Sequence, residues 1–409
     1  MKKVHLVILS LVAVFLVAGC SSNEKAGGNT KEVEVQSDKA LKVNWKKVTP
    51  IIEKDTGLNI KLIDTADITA YTTNIKQSLS SNTPPDVFTW WTGTQLADLV
   101  ENDLVADITD EWPDLVKLGI SDDLKEAMTF DGKIYGAPLN VIYNGVIYNK
   151  AIYDELGLSE PTTLDEFMDN CQKIKDAGIT PIGIGGTWQS FVWPMVLMGS
   201  LDPELYDQWT SGEVGFDDAR VKKVFYYWAE MIEKGFFSEQ QQDQGKDLAM
   251  KEVAMALNAN NWSQGLVEDY GMTLGKDVDI FVLPGVKKED KKTIFYEISP
   301  FVISKKGDKE QALNVIKSYY SKDAQKEFAE KTGGSAITDI EIDNVITNKM
   351  LEVAGDSENY TLKLRYYEQF TPEIVNQSID EYWKIAANPT EKQVDDSLKT
   401  IQESWAKVK

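Results

Sequence analysis

From Lys31 onward, short apolar stretches of strand character alternate with stretches whose apolar residues recur at helical spacing. Lys31–Val35 reads as a strand, followed by a helix with Trp45, Val48, Ile51 and Ile52 on one face. Gly57 stops that helix, because it can take the positive φ that a helix C-terminus favours. Asn59–Ile63 is the next strand. A further helix ends near Ser80-Ser81-Asn82, and Pro84-Pro85-Asp86 leads into Val87-Phe88-Thr89-Trp90-Trp91. The rhythm returns with Gly145–Tyr148, a helix capped by Thr163, and Ile179–Ile184 ending in Gly185-Gly186. Strongly striped helices follow, one with Val221, Val224, Phe225 and Trp228, the last with Val394, Leu398, Ile401 and Trp405. Strands separated by helices in this way predict an α/β fold with a parallel sheet covered on both faces. At 409 residues the chain is long enough for two such units.

The first thirty residues read differently. Lys2 and Lys3 precede the apolar run Val4–Val17, which ends in Ala18-Gly19-Cys20, the layout of a secretory signal. The run is too short for a confident membrane span. Val17-Ala18-Gly19-Cys20 resembles the bacterial lipobox, which implies cleavage after residue 19 and lipidation of Cys20. The expected organisation is a signal peptide at 1–19 and a small, polar, flexible tether at 20–31. The protein would then sit on the extracellular face of the cell membrane of a Gram-positive bacterium, held by its lipid.

Composition narrows the chemistry. There are 43 basic and 65 acidic residues, a formal charge of −22, which repels nucleic acid. The chain has one histidine, His5, and two cysteines, Cys20 and Cys171. His5 falls in the signal, so the mature chain would carry no imidazole. That excludes Ser-His-Asp and Cys-His catalysis and histidine-ligated metals. Cys171 shares the helical stripe of Leu164, Phe167, Met168 and Ile174, and reads as core. No cofactor and no metal are expected.

Seven further segments, in order, resemble bacterial solute-binding proteins of the carbohydrate-binding family that includes maltose-binding protein. They are Ile52-Glu53-Lys54-Asp55-Thr56-Gly57, Pro84-Pro85-Asp86-Val87, Asp131-Gly132-Lys133-Ile134-Tyr135-Gly136-Ala137-Pro138, Ile147-Tyr148-Asn149-Lys150, Ala254-Met255-Ala256-Leu257-Asn258, Val282-Leu283-Pro284-Gly285, and Ala324-Gln325-Lys326-Glu327-Phe328 leading to Gly333-Gly334. The resemblance implies a two-lobed periplasmic-binding-protein-like fold (type II) with the ligand cleft between lobes. Lobe 1 would comprise 32–140 with 285–338, and lobe 2 would comprise 141–284 with 339–409. The chain would cross near Pro138–Val141, Pro284–Val286 and Ser335–Asp339.

It also implies a monomeric, non-enzymatic receptor that captures an oligosaccharide, with a gluco-oligosaccharide preferred, and delivers it to ABC permease subunits. Sugars stack their C–H faces on aromatic rings and satisfy their hydroxyls with polar side chains. The candidates are Asp38 and Lys39 after the first strand, Trp90 and Trp91, Trp188 and Gln189 after Gly185-Gly186, and Trp262 with Asn260 and Asn261. Asn140 and Tyr143 flank the first crossing, Glu297 lies close to the second lobe junction, and Tyr367 and Glu368 precede Phe370-Thr371-Pro372, the expected start of a late cleft-facing helix. Trp193 reads as packing. Maltose-binding relatives place an acid near the position of Trp188, a departure bearing on which sugar fits. Two rival functions use the same surface chemistry. A secreted glycan hydrolase needs two carboxylates flanking one bond, and no acid pair here lies in such a motif. A surface glycan adhesin or sensor needs only the cleft.

Overall fold

The computed structural model describes residues 31–240 and 243–408, so the signal and Cys20 lie outside the described residues. Twelve strands are present among them: β1 (Glu32–Ser37), β2 (Asn59–Asp64), β3 (Val87–Thr89), β4 (Thr129–Phe130), β5 (Lys133–Ile134), β6 (Ala137–Asn149), β7 (Thr180–Ile184), β8 (Phe237–Gln240), β9 (Val253–Ala259), β10 (Val278–Phe281), β11 (Lys292–Ile303) and β12 (Tyr360–Leu364). Ten form one sheet in the order β2-β1-β3-β11-β6-β9-β7-β8, with β10 on β6 and β12 on β11.

The sheet is mixed rather than parallel throughout. β1 runs parallel to β2 and β3, and β7 runs parallel to β8 and β9, as the βα rhythm requires. These two parallel sets are joined by antiparallel strands. β6 pairs antiparallel with β11 over Ala137–Tyr143, then with β9 from Asn144 onward. At its far end β11 pairs antiparallel with β3 through Phe301–Ile303. A thirteen-residue strand spans roughly 40 Å, enough to serve both sets. Periodicity reports that a segment is a strand but not which partner it finds.

Two cores lie on this frame. In the first, Trp45 stacks on Tyr319 at 5.1 Å between ring centroids and meets Phe301 edge-on at 5.6 Å. In the second, Trp209 stacks on Tyr366 at 5.2 Å, with Phe216, Phe370 and Trp405 around them. Residues on both sides of Pro284–Val286 alternate between the cores, with Val282 and Ile294 in the first. Gly285 accepts from the N–H of Leu164, Leu283 and Phe295 lie in the second core, and Phe301 lies in the first. Near the third predicted crossing, Val141 bridges to Ser335.

Local readings agree closely with the structure. Gly57 ends the helix Val48–Thr56 at φ 69°, and its N–H donates to Glu53 O. Thr163 caps Leu164–Asp176 through its side chain. Cys171 and Trp193 are buried in the second core. Among the described residues, no helix is long and apolar enough to cross a membrane.

Candidate functional site

In both parallel sets the candidate residues follow the carboxyl ends of strands, where open α/β sheets bind ligands. Asp38 and Lys39 follow β1. Asp38 Oδ1 accepts from Thr89 Oγ1 at 2.8 Å, and Lys39 Nζ lies 3.1 Å from Asp38 Oδ2. That ammonium also sits 5.4 Å from the ring centre of Trp91, a cation–π distance. Adjacent strand-end side chains face opposite ways, and here they part company. Trp91 keeps 7% of its surface exposed beneath Lys39. Trp90 is 0% exposed, packed by Tyr71 and Phe88, and its Nε1 donates to Gln95 O at 3.0 Å. Trp90 is thus a core residue rather than a ligand contact.

The second wall follows β7 and β9. Gly185-Gly186 lead into a short turn that leaves Trp188 36% exposed. Trp262 follows the turn after β9, and both rings line one cavity of about 370 Å³. Asp243, Asp269 and Tyr270 complete its rim. The Tyr270 hydroxyl donates to Asp243 Oδ1 at 2.5 Å, which with the N–H of Lys246 holds that carboxyl below its usual range.

Two candidates beside these rings are consumed by the fold. Gln189 accepts from Gly185 N at 2.6 Å through Oε1, while its Nε2 donates to Gln244 Oε1 at 3.2 Å. Asn260 accepts from Tyr143 N at 2.8 Å and donates to Gly333 O at 2.9 Å and Thr347 Oγ1 at 3.0 Å. Both are buried braces. Asn261 is half-buried, its Cα packed close to Gly333.

The joining strands divide their candidates. Asn140 lies on one face of β6 beside Gly334, its Oδ1 buried and without a hydrogen-bond partner. Tyr143, three residues on, lies on the opposite face and lines a different groove, with Tyr296 and Tyr360. Glu297 and Glu368 meet at a residue absent from the expected set. Arg365 places Nη1 2.6 Å from Glu297 Oε2 and Nη2 2.6 Å from Glu368 Oε1. Burial opposes the Arg365 charge, but the two carboxylates outweigh it and hold its pKa above the ordinary value. Burial raises the Glu368 pKa, and Arg365 only partly offsets this. Both glutamates are therefore occupied. An Arg three residues before a Glu on a helical turn was the available signal, although nothing local pointed to Glu297.

Tyr367 is where the parts meet. Its ring lies 5.4 Å from the Arg365 guanidinium carbon and 6.2 Å from Phe191, itself 6.4 Å from Trp188. It packs against both cores. Beside it Gly93, at φ 64° and ψ −140°, starts the helix Thr94–Glu101, and a Cβ there would lie 1.8 Å from Glu368 O. That backbone region is essentially closed to other residues. Gly93→Ala is expected to lower stability by at least about 2 kcal/mol, read as a shifted urea midpoint; an unchanged midpoint would show that the contact yields freely.

An aromatic, carboxylate-rimmed cavity past the strand ends of an α/β sheet defines a protein equipped to hold a small polar ligand. The chain belongs to the bacterial extracellular solute-binding protein family, whose model matches residues 33–326. It is 26% identical over 239 residues to an uncharacterized ABC transporter extracellular-binding protein of Pyrococcus horikoshii, covering 56% of this chain and 51% of that one. It is also 26% identical over 249 residues to the diacetylchitobiose binding protein DasA of Streptomyces coelicolor, covering 58% and 56%. The chain thus spans about half the length of these curated relatives. The fold matches apo RafE from Streptococcus pneumoniae with a TM-score of 0.77 at 16% identity, over 91% of this chain and 97% of that one. A likeness at that identity speaks for the fold alone.

Proposed function

We propose that this protein is the lipid-anchored binding component of an ABC importer, capturing an oligosaccharide between two closing lobes and delivering it to the permease. The observation that carries the reading is the cavity flanked by Trp188 and Trp262 past the ends of β7 and β9. Its rings offer stacking faces and its rim offers hydroxyl partners. Lys39, Trp91 and Tyr367 supply further contacts from across the cleft. The lobes divide near Pro138–Val141, Pro284–Val286 and Ser335–Asp339; β6 changes partner from β11 to β9 just past the first, and Val141 bridges to Ser335 at the third. The receptor acts as a monomer and performs no chemistry; closure excludes water from the ligand's hydrogen bonds.

Ligands named for relatives include diacetylchitobiose and melibiose, raffinose and stachyose, so a test must span several sugars. A panel of gluco-, galacto- and amino-sugar oligosaccharides, with the gluco-oligosaccharides first, is titrated by calorimetry and tryptophan fluorescence. At least one glycan is expected to bind with a fluorescence change. Silence toward every glycan, with tight binding of a peptide instead, would remove the sugar reading. Cleavage of any glycan on long incubation would favour the hydrolase.

A further inference from the structure

We propose that Asp243 and Asp269 are specificity-determining residues that make the Trp188–Trp262 cavity refuse sugars bearing a carboxylate, while admitting neutral or amine-bearing ones. This rests on the glycan-binding reading above and adds the charge class of the ligand.

The two carboxylates share the cavity rim, and no lysine or arginine lines it among the described residues. A uronate entering there would leave water and find like charge and no cation on that wall, while Lys39, across the cleft, is already paired with Asp38 at 3.1 Å. The floor offers no remedy. Gln244 Oε1 accepts from Gln189 Nε2 at 3.2 Å and Asn258 Nδ2 at 3.3 Å, and Gln244 Nε2 donates to Gly183 O at 2.7 Å. These amides are neutral and already engaged with one another. Asp243 is held in its ionised form by the Tyr270 hydroxyl and the N–H of Lys246. Lys246 is the cation that acts on Asp243, but it is exposed and lies outside the lining. Neighbouring Asp247 has its pKa raised by burial and then by the like charges of Glu252 and Asp243. A sugar hydroxyl or amine has donors to give these carboxylates; a uronate brings a carboxylate against them.

Maltotriose, cellotriose, trigalacturonic acid and the glucosamine trimer are titrated into the full chain, its Asp243→Asn and Asp269→Asn variants, and the double variant. Asparagine keeps an oxygen to cap the helix Gln244–Ala249, whose first turn Asp243 closes, and thermal melts confirm folding. The expected result is a neutral or amine trimer bound and the uronate weaker by roughly tenfold or more, with the gap narrowing at least roughly threefold in the double variant and in added salt. Uronate binding as tight as the best neutral trimer, or a gap unmoved in the double variant, overturns the assignment and leaves the glycan reading standing. Failure of every trimer and every glycan of the wider panel removes that reading, and this inference with it.

Discussion

Arg365→Ala is expected to lower unfolding stability by about 3–5 kcal/mol at neutral pH, the usual range when one partner of a buried ion cluster is removed. Glu368 is 1% exposed, the Glu297 side chain 12%, and one guanidinium serves both. Without it, two carboxylates are left facing each other out of water. The sign of the pH dependence follows. Glu368 already has a raised pKa in the folded chain, and losing the cation raises it further. Between the ordinary glutamate value and that raised one, the native state binds more protons than the unfolded state. Stability therefore falls as pH rises through this window, and the deficit shrinks on acidification. Urea denaturation of wild type and variant near pH 7 and near pH 5 reads this directly. Glu368→Gln added to Arg365→Ala is expected to recover part of the neutral-pH loss. An equal deficit at both pH values would mean that the cluster is hydrated and the carboxylates already at ease.

Trp262→Ala is expected to weaken binding of any glycan found in the panel by about 2–3 kcal/mol, or roughly 30- to 150-fold. The ring is half-buried on the cavity wall and packs against the first core, so its removal takes a stacking face from the ligand, and a melt reads any loss of packing separately. Trp90→Ala is the matched control. That ring is sealed among Tyr71, Phe88 and Trp91, and its loss is expected to lower stability by about 3–5 kcal/mol through the cavity it leaves. Calorimetry with a ligand and a denaturant melt separate the two effects. Unchanged affinity in Trp262→Ala would take that residue out of the site. A Trp90→Ala chain as stable as wild type would show that the ring is not part of the core.

Parts of the site were legible because strand ends are legible. Trp188 and Trp262 each follow an apolar run broken by glycine or asparagine, and both line one cavity. Polar candidates were harder. Gln189 and Asn260 have the right chemistry in the right loops, yet their partners arrive from Gln244, Tyr143 and Gly333, 55 to 117 residues away. A free amide and an engaged one look the same in a sequence. The same holds for Glu297, whose cation Arg365 comes from a distant segment, whereas for Glu368 that cation lies three residues back.

What the sequence determined by itself is whatever depends on a few neighbouring residues: the alternation of strands and helices, the stop at Gly57, the cap at Thr163, and the buried stripe that includes Cys171. Side-chain periods of two and 3.6 and the φ freedom of glycine are local properties, so they survive outside the fold. Only the tertiary structure decided that β6 and β11 join the two parallel sets in antiparallel register. The same holds for Trp90 being fully covered while Trp91 keeps an edge exposed beneath Lys39, and for Arg365 holding Glu297 as well as Glu368. Those outcomes turn on which distant segment packs against which, and long-range packing and desolvation leave no mark on the spacing of residues along the chain.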